Sequence, residues 1–520
     1  MKKLLSIIAI AVFSIYGHAQ DIPFKIQKSE VFKDENKFSI INLVADDDKG
    51  GLVVVRSYLG FGFFSIDQGY YFEHYDSNMK LINEYEFEMK YSEVQRSSSV
   101  LGLIMDNGRV NIIDFIYDKK ENAYVCSSNS ASIEDFKFSK KELFRLPNKQ
   151  VTEFSIFSSS NASDSDSGAA MIVNQDQTAF AITVDIVDKS SETHKIYLYD
   201  SSLNKKLDHT FIRKIKDRKF KYENINVSND GNTLYLLGKA KTAEKKKKKD
   251  GGQYQYELTK ITKDTEKTQI FDTEEHYAGS LKAVIHDGRL TCVGFYSDRN
   301  DSRYKGISYF ELDPETLEIR KSKYNPFTEQ FMIDKYGKDK DKELRNLAFR
   351  GMMISATGNI VFNAEEYYVV NTYMATPNGG GTWRTSYHYN DIVSAKLNPD
   401  GDLVWARNIN KRQSTSGDGA YLSYTSTIKG DDTYFFINTG EKVKKLSKDR
   451  IQFGQTSAKK SNMNIIRINR DGDFDFQEIL DDKENEVPFM VSWGALSTDI
   501  NNVVFLGRKG KKKQLLKITL

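Results

Sequence analysis

Apolar and polar positions along the chain recur as one unit: an apolar run, a short turn rich in Asp, Asn and Gly, and a second apolar run. The clearest copy is INVSNDGNTLYLLGKA (Ile225–Ala240), where alternating apolar residues flank Asn229-Asp230-Gly231, a turn that tolerates positive φ. Equivalent turns stand at Asp48-Lys49-Gly50, Asp106-Asn107-Gly108, Asn174-Gln175-Asp176, Asp287-Gly288, Thr357-Gly358, Gly430-Asp431-Asp432 and Asp499-Ile500-Asn501-Asn502. A second hairpin follows the first within a repeat. It is clearest from Tyr70, Lys195, Ile307, Asp391 and Met463, each an apolar strand, an Asp or Asn opening a turn, and an amphipathic strand.

Two hairpins make a four-stranded sheet, and a repeat of about 64 residues suits a propeller blade with some enlarged loops. The pattern predicts an all-β fold, an eight-bladed β-propeller of four-stranded antiparallel blades, with seven blades as the alternative. The last repeat stops one strand short at Leu520, whereas FKIQKSEVF near the N-terminus has no partner in its own repeat. The N-terminal strand is therefore expected to complete the last blade, which removes exposed sheet edges.

If strands run outward from the axis, the short turns lie on one face and nearly all long connections on the other. The irregular stretches are YLGFGFFSIDQG from Tyr58, the Ser-rich segment from Phe157, the Lys-rich segment from Lys239, residues 325–350, residues 367–390, and the stretch from Gly440. A helix is expected within 325–350, with Thr328 as its cap and Phe331, Met332 and Lys335 at helical spacing, although Gly337 interrupts the pattern. Function is expected on this long-loop face.

Composition agrees with a large β-rich core: 39% hydrophobic residues, 32 Phe and 29 Tyr against 7 Pro. A net charge of +3 from 75 basic and 72 acidic side chains marks neither nucleic acid nor an anionic membrane as the partner. Met1-Lys2-Lys3, the apolar run Leu4 to Ile15 and Gly17-His18-Ala19 form a secretory-signal pattern. Residues 1–19 are read as the signal peptide and 20–520 as one propeller domain, exported to the periplasm or cell surface, with no transmembrane segment after processing. Cys126 and Cys292 read as two buried thiols.

The segment richest in possible chemistry is Asn363 to Ile392. It carries Glu365, Glu366, Tyr367, Trp383, Arg384, Tyr387, His388, Tyr389 and Asp391 around a triple-Gly tip, read as a long loop. Aromatic faces beside carboxylates and Arg suit a sugar or a peptide. No two of the seven His are three or four residues apart, so a zinc motif is absent, and the Asn/Asp-rich turns from Asn398 and Asn469 read as hairpin turns rather than calcium loops. No cofactor or metal is expected, and no nucleophile elbow is present. The basic runs Lys245 to Lys249 and Arg508 to Lys513 read as solvated hairpin loops.

The run YHYNDIVSAKLNPDGDLVWARNINKRQ (Tyr387 to Gln413), preceded by AEEYY, resembles a family of uncharacterised secreted propeller-type proteins of Bacteroidota. Tyr387, Tyr389, Asn390, Asp391, Gly401, Trp405, Lys411 and Gln413 carry the likeness, and Asn410 stands where the family pattern has Pro. The likeness covers only about Asn363 to Gln413. It implies an envelope or extracellular location and a propeller, and brings no catalytic residue. The function expected is a non-catalytic binding scaffold engaging a protein or glycan of the cell envelope. The alternative is a glycan hydrolase or lyase whose acids converge at the channel mouth.

Overall fold

The computed structural model describes residues 22–520 apart from 48, 62–65, 90–97, 152–167, 189, 216–219, 242–253, 272–275, 299–301, 376–380, 441–442, 449 and 499–500. The Ser-rich and Lys245-to-Lys249 segments fall outside the described residues. So does the expected signal, residues 1–19.

Strand formation follows from runs such as Leu52-Val53-Val54-Val55, whose alternate side chains enter two different cores. Leu52 and Val54 pack toward one neighbouring sheet, and Val53 and Val55 toward the other. A strand buried on both faces reads as a continuous apolar run. Eight such cores separate eight sheets, and each core is built from two sheets that are neighbours in sequence or join the chain's two ends. The result is a closed β-propeller.

Seven sheets are complete antiparallel blades, each with at least four strands drawn from one stretch of chain: 38–89, 98–147, 169–213, 220–270, 277–326, 347–411 and 425–480. The eighth position holds a composite closing sheet. Its inner strand is only Ala495–Leu496, preceded by the 3-10 turn Val491–Trp493, and its outer strand is Lys25–Lys28. Of the two counts expected, eight four-stranded blades or the alternative of seven, the structure has seven complete blades, since the innermost strand of the eighth position is only two residues long. Closure itself is as expected, with Lys25 opposite Thr519 and Lys28 opposite Leu516.

Two glycines illustrate why the turns carry this residue. Gly231 (φ 66°) closes the Ser228–Thr233 turn, and a Cβ there would meet the Ala179 Cβ at 2.9 Å. Gly401 (φ 81°) lies against the Tyr309 ring, where a Cβ would come within 2.2 Å. The Asn398 and Asn469 turns are hairpin turns, in which the Asn469 side-chain oxygen accepts from the Asp471 and Asp473 backbone N–H groups.

Helix α1 (Glu329–Tyr336) follows the fifth blade. The Thr328 hydroxyl caps it by accepting from the Phe331 N–H at 3.2 Å, and Gly337, rather than interrupting it, ends it in the left-handed conformation (φ 74°). Phe331 and Met332 pack into the core between the fifth and sixth blades. Among the described residues no helix is long and apolar enough to cross a membrane. Cys126 and Cys292 are free, buried thiols.

The basic run Arg508 to Lys513 is the hairpin between the two central strands of the closing sheet: Lys509 and Lys511 are exposed at its turn as expected, whereas Arg508 and Lys513 are buried. Arg508 pairs with Asp418, and Lys513 is fully buried 3.6 Å from Asp34, donating to the Lys37 and Gly510 carbonyls at 3.1 Å each. Burial pushes the Lys513 ammonium down to about 8, although Asp34 opposes the shift. An unfolded lysine titrates near about 10.4. The folded state thus binds this proton more weakly, so the cost of burying the charge is present below pH about 8 and is relieved as pH rises toward about 10.4. Urea midpoints taken between pH 7.5 and 9.5 should show the wild type gaining stability relative to Lys513→Met. A pH-independent difference between the two would contradict this assignment.

Candidate functional site

Residues 363–375 and 381–392, expected as part of a long loop, are paired strands. Strand Ile360–Ala375 runs directly into a hairpin with Gly381–Leu397, and pairing continues from Ile360 opposite Leu397 out to Ala375 opposite Gly381. The third strand from the axis and its partner therefore extend well past the body of the sixth blade. Gln413–Thr415 adds to the return strand at Tyr387–Tyr389 and supports the base of this arm. The Tyr58 stretch is likewise corrected, since Leu52–Phe61 and Ile66–Tyr75 are paired almost to their tip.

The register sorts the predicted residues onto two faces, because residues directly opposite in an antiparallel pair project to the same side. One face carries Tyr367 with Tyr389, Val369 with Tyr387, and Tyr373 with Trp383. The ring centroids of the first and last pairs are 5.2 and 5.3 Å apart. The other face carries His388, stacked on Tyr368 at 4.6 Å and 9°, and Arg384, which donates to the Ser416 hydroxyl at 2.9 Å. At the tip Trp383 is 71% exposed and Tyr373 52% exposed, whereas Tyr389 packs against the core at the base. Arg350 lies over the Tyr367 ring at 5.3 Å and the Tyr389 ring at 6.0 Å, fixing the inner end of the stripe.

The carboxylates lie below the arm and point apart. A register shift between Glu365 and Tyr367 separates the neighbours Glu365 and Glu366. Glu365 is fully buried and accepts from Lys411 Nζ at 2.7 Å, from Arg350 Nε and Nη2 at 2.9 and 2.6 Å, and from the Ser423 hydroxyl at 2.9 Å. Lys411 also donates to the Tyr389 carbonyl at 2.8 Å. Burial pushes the Lys411 ammonium down, and Glu365 partly restores it.

Glu366 and Asp391 instead meet Lys335 of α1, at 3.2 and 2.6 Å. Burial opposes the Lys335 charge, but these two carboxylates outweigh it and hold its affinity for a proton above the ordinary value. Asp391 accepts further from the Lys411 backbone N–H and from Asn408. Glu365 is thus matched by Lys411 and Arg350, Glu366 and Asp391 share Lys335, and His388 stacks on Tyr368.

Arg350, Ser423 and Asn408 have no counterpart among the sequence candidates, and Lys335 was read only as part of the helix. Lys411 was visible only as part of the family likeness. Trp405 to Lys411 also holds Arg407, Asn408 and Asn410, so nothing in that window marks Lys411 as a buried charge that must be paired.

A second polar cluster lines a cleft of about 770 Å³ beside the closing segment. Buried Arg56 donates to Asp34 at 2.8 and 3.1 Å and to Glu73, and lies 4.9 Å from both the Phe32 and Tyr71 rings. Its charges are internally matched, and it ties the N-terminal segment to the first blade.

No family model matches the chain, and no curated protein matches it. Solved structures that resemble it include a quinohemoprotein alcohol dehydrogenase from Comamonas testosteroni, with 10% identity over 95% of this chain and 76% of that one and a TM-score of 0.41. An acylaminoacyl peptidase from Pyrococcus horikoshii matches at 10% identity over 80% of this chain and a TM-score of 0.36, and there the chain spans about half (50%) of the other's length. The β-propeller domain of the Trilobed protease from Pyrococcus furiosus matches at 9% identity over 86% of this chain and 97% of that one, with a TM-score of 0.36. Likenesses this distant carry no argument about this chain, and the chemistry of those proteins does not transfer.

Proposed function

We propose that the protein is an exported, non-catalytic binding platform that engages a protein or glycan of the cell envelope through the hairpin arm of its sixth blade. The observation that carries this reading is the aromatic stripe, which is anchored by Arg350 and the core at one end and open at Trp383 and Tyr373 at the other. Large rings held in register on a paired ribbon lose little freedom on binding, and their faces suit sugar rings or apolar peptide side chains. Ion pairing of Glu365 with Lys411 and Arg350, and of Glu366 and Asp391 with Lys335, favours recognition over general acid–base chemistry. Export is supported by the signal pattern at the N-terminus and by the family likeness around Tyr387 to Gln413.

The test is retention of the purified chain on immobilised envelope polysaccharide and, separately, on envelope protein. Replacing both Trp383 and Tyr373 by Ala should weaken retention by about tenfold or more, the scale of losing two exposed anchors. The melting temperature should stay unchanged, because both rings are largely in water. Equal retention of wild type and double variant on both supports would overturn the assignment of this surface.

A further inference from the structure

A cluster in the third blade, far in sequence from the arm, has a different composition. We propose that Asp185, Glu192 and His194 form a binding site for a divalent first-row transition metal of the zinc class.

Asp185 ends the strand Ala179–Asp185, and the next strand, Glu192–Asp200, begins with Glu192. Asp185 is directly opposite His194 in the register, and Glu192 lies two residues before His194 on the same strand. Alternation along a strand and pairing across it therefore place all three side chains on one face of the sheet. His194 Nε2 stands 2.9 Å from Glu192 Oε1 and 3.6 Å from Asp185 Oδ1, and the three donor atoms all lie within 4.8 Å of one another. Ligands about 2.0–2.1 Å from a tetrahedral zinc are themselves roughly 3.3 Å apart, so the observed separations need only small side-chain adjustments.

The surroundings suit a bound ion. Glu192 and His194 are buried, whereas the Asp185 side chain is 20% exposed and gives the cluster a route to solvent. The Tyr222 ring of the fourth blade packs on the imidazole, centroids 4.2 Å apart, and limits its rotation. Arg213, the cross-strand neighbour of Glu192, is turned to Glu257, donating at 2.8 and 2.7 Å. One imidazole with two carboxylates favours zinc or manganese, and the nitrogen donor disfavours calcium and magnesium, which prefer oxygen. Three protein ligands leave a fourth position open to water or to a group on a partner. The site lies at the end of the strands from which the long connections leave, the same face as the arm.

Calorimetric titration of the chelator-treated, full-length chain with Zn²⁺ should show one equivalent bound with micromolar or tighter affinity. Co²⁺ in its place should give the visible absorption of a low-symmetry, four- or five-coordinate ion. His194→Gln, which keeps a hydrogen-bonding amide near Glu192, should weaken Zn²⁺ binding at least about 30-fold. Asp185→Asn, at the most exposed of the three positions, should weaken it by about tenfold with the circular dichroism spectrum unchanged. Absence of a stoichiometric site would overturn the proposal. So would unchanged affinity in both variants, or equal affinity for Ca²⁺ and Zn²⁺.

Discussion

Replacing Glu365 by Leu is expected to destabilise the protein by about 3–5 kcal/mol, the scale for removing one partner of a buried ion pair. The reason lies in what remains. Lys411 Nζ is fully buried and has Glu365 and the Tyr389 carbonyl as its acceptors, so losing the carboxylate leaves a charge supported by one neutral oxygen. Arg350 can swing outward, because its side chain is already 33% exposed, whereas Lys411 cannot. The double variant Glu365→Leu, Lys411→Met should recover most of the loss, since an apolar pair of similar size is often as stable as the ion pair it replaces. Urea unfolding of the two variants beside wild type measures both effects. A single variant within about 1 kcal/mol of wild type would show that Lys411 escapes its buried setting. The hairpin arm stands directly above this pair, so the single variant should also loosen Tyr389 and weaken ligand retention, while the double variant should not.

Deleting the chain up to Ser29 should cost about 3–6 kcal/mol and make the protein self-associate. Ile22 is buried in the core between the seventh blade and the closing sheet, with Phe24 and Ile26 packed beside it. Full burial of one such side chain contributes about 1.5–3 kcal/mol, and the two half-buried ones together add a similar amount. The lost segment also includes the pairs from Lys25 to Lys28, and with them the cover on strand Lys512–Thr519. An uncovered edge recruits another strand, so the truncated chain should elute as larger species than the full chain, and an added peptide matching residues 20–29 should restore the full chain's elution. Unchanged stability and elution would mean that the ring does not depend on this closure.

Both expectations concern charges and edges whose importance sequence reading grasped unevenly. Closure was legible, because a final repeat with too few strands and an initial strand with no partner leave one economical arrangement. Helix α1 was legible through Thr328, while Gly337 was misjudged: an interruption by pattern is a cap by geometry. The buried cations were the main failure. Arg56, Lys411 and Lys513 look like ordinary polar positions in strands, and only opposing carboxylates from elsewhere in the chain make their burial tolerable.

The same division explains the candidate sites. The nine residues singled out between Glu365 and Asp391 are spread along one long hairpin and over both its faces, and one register shift decides that Glu365 turns inward and that Glu366 and Asp391 share Lys335. A search for His at helical spacing passes over Asp185, Glu192 and His194, because strand pairing, not helical spacing, brings them together. What the amino-acid order settled by itself was the all-β repeat, its turns, its closure and the location of its aromatic wealth, since period-two burial and turn chemistry act between near neighbours. What only the tertiary structure decided was which charges are buried, which faces the aromatic rings share and which donors converge. Those depend on register and on contacts between blades, and neither leaves a mark on any short window of sequence.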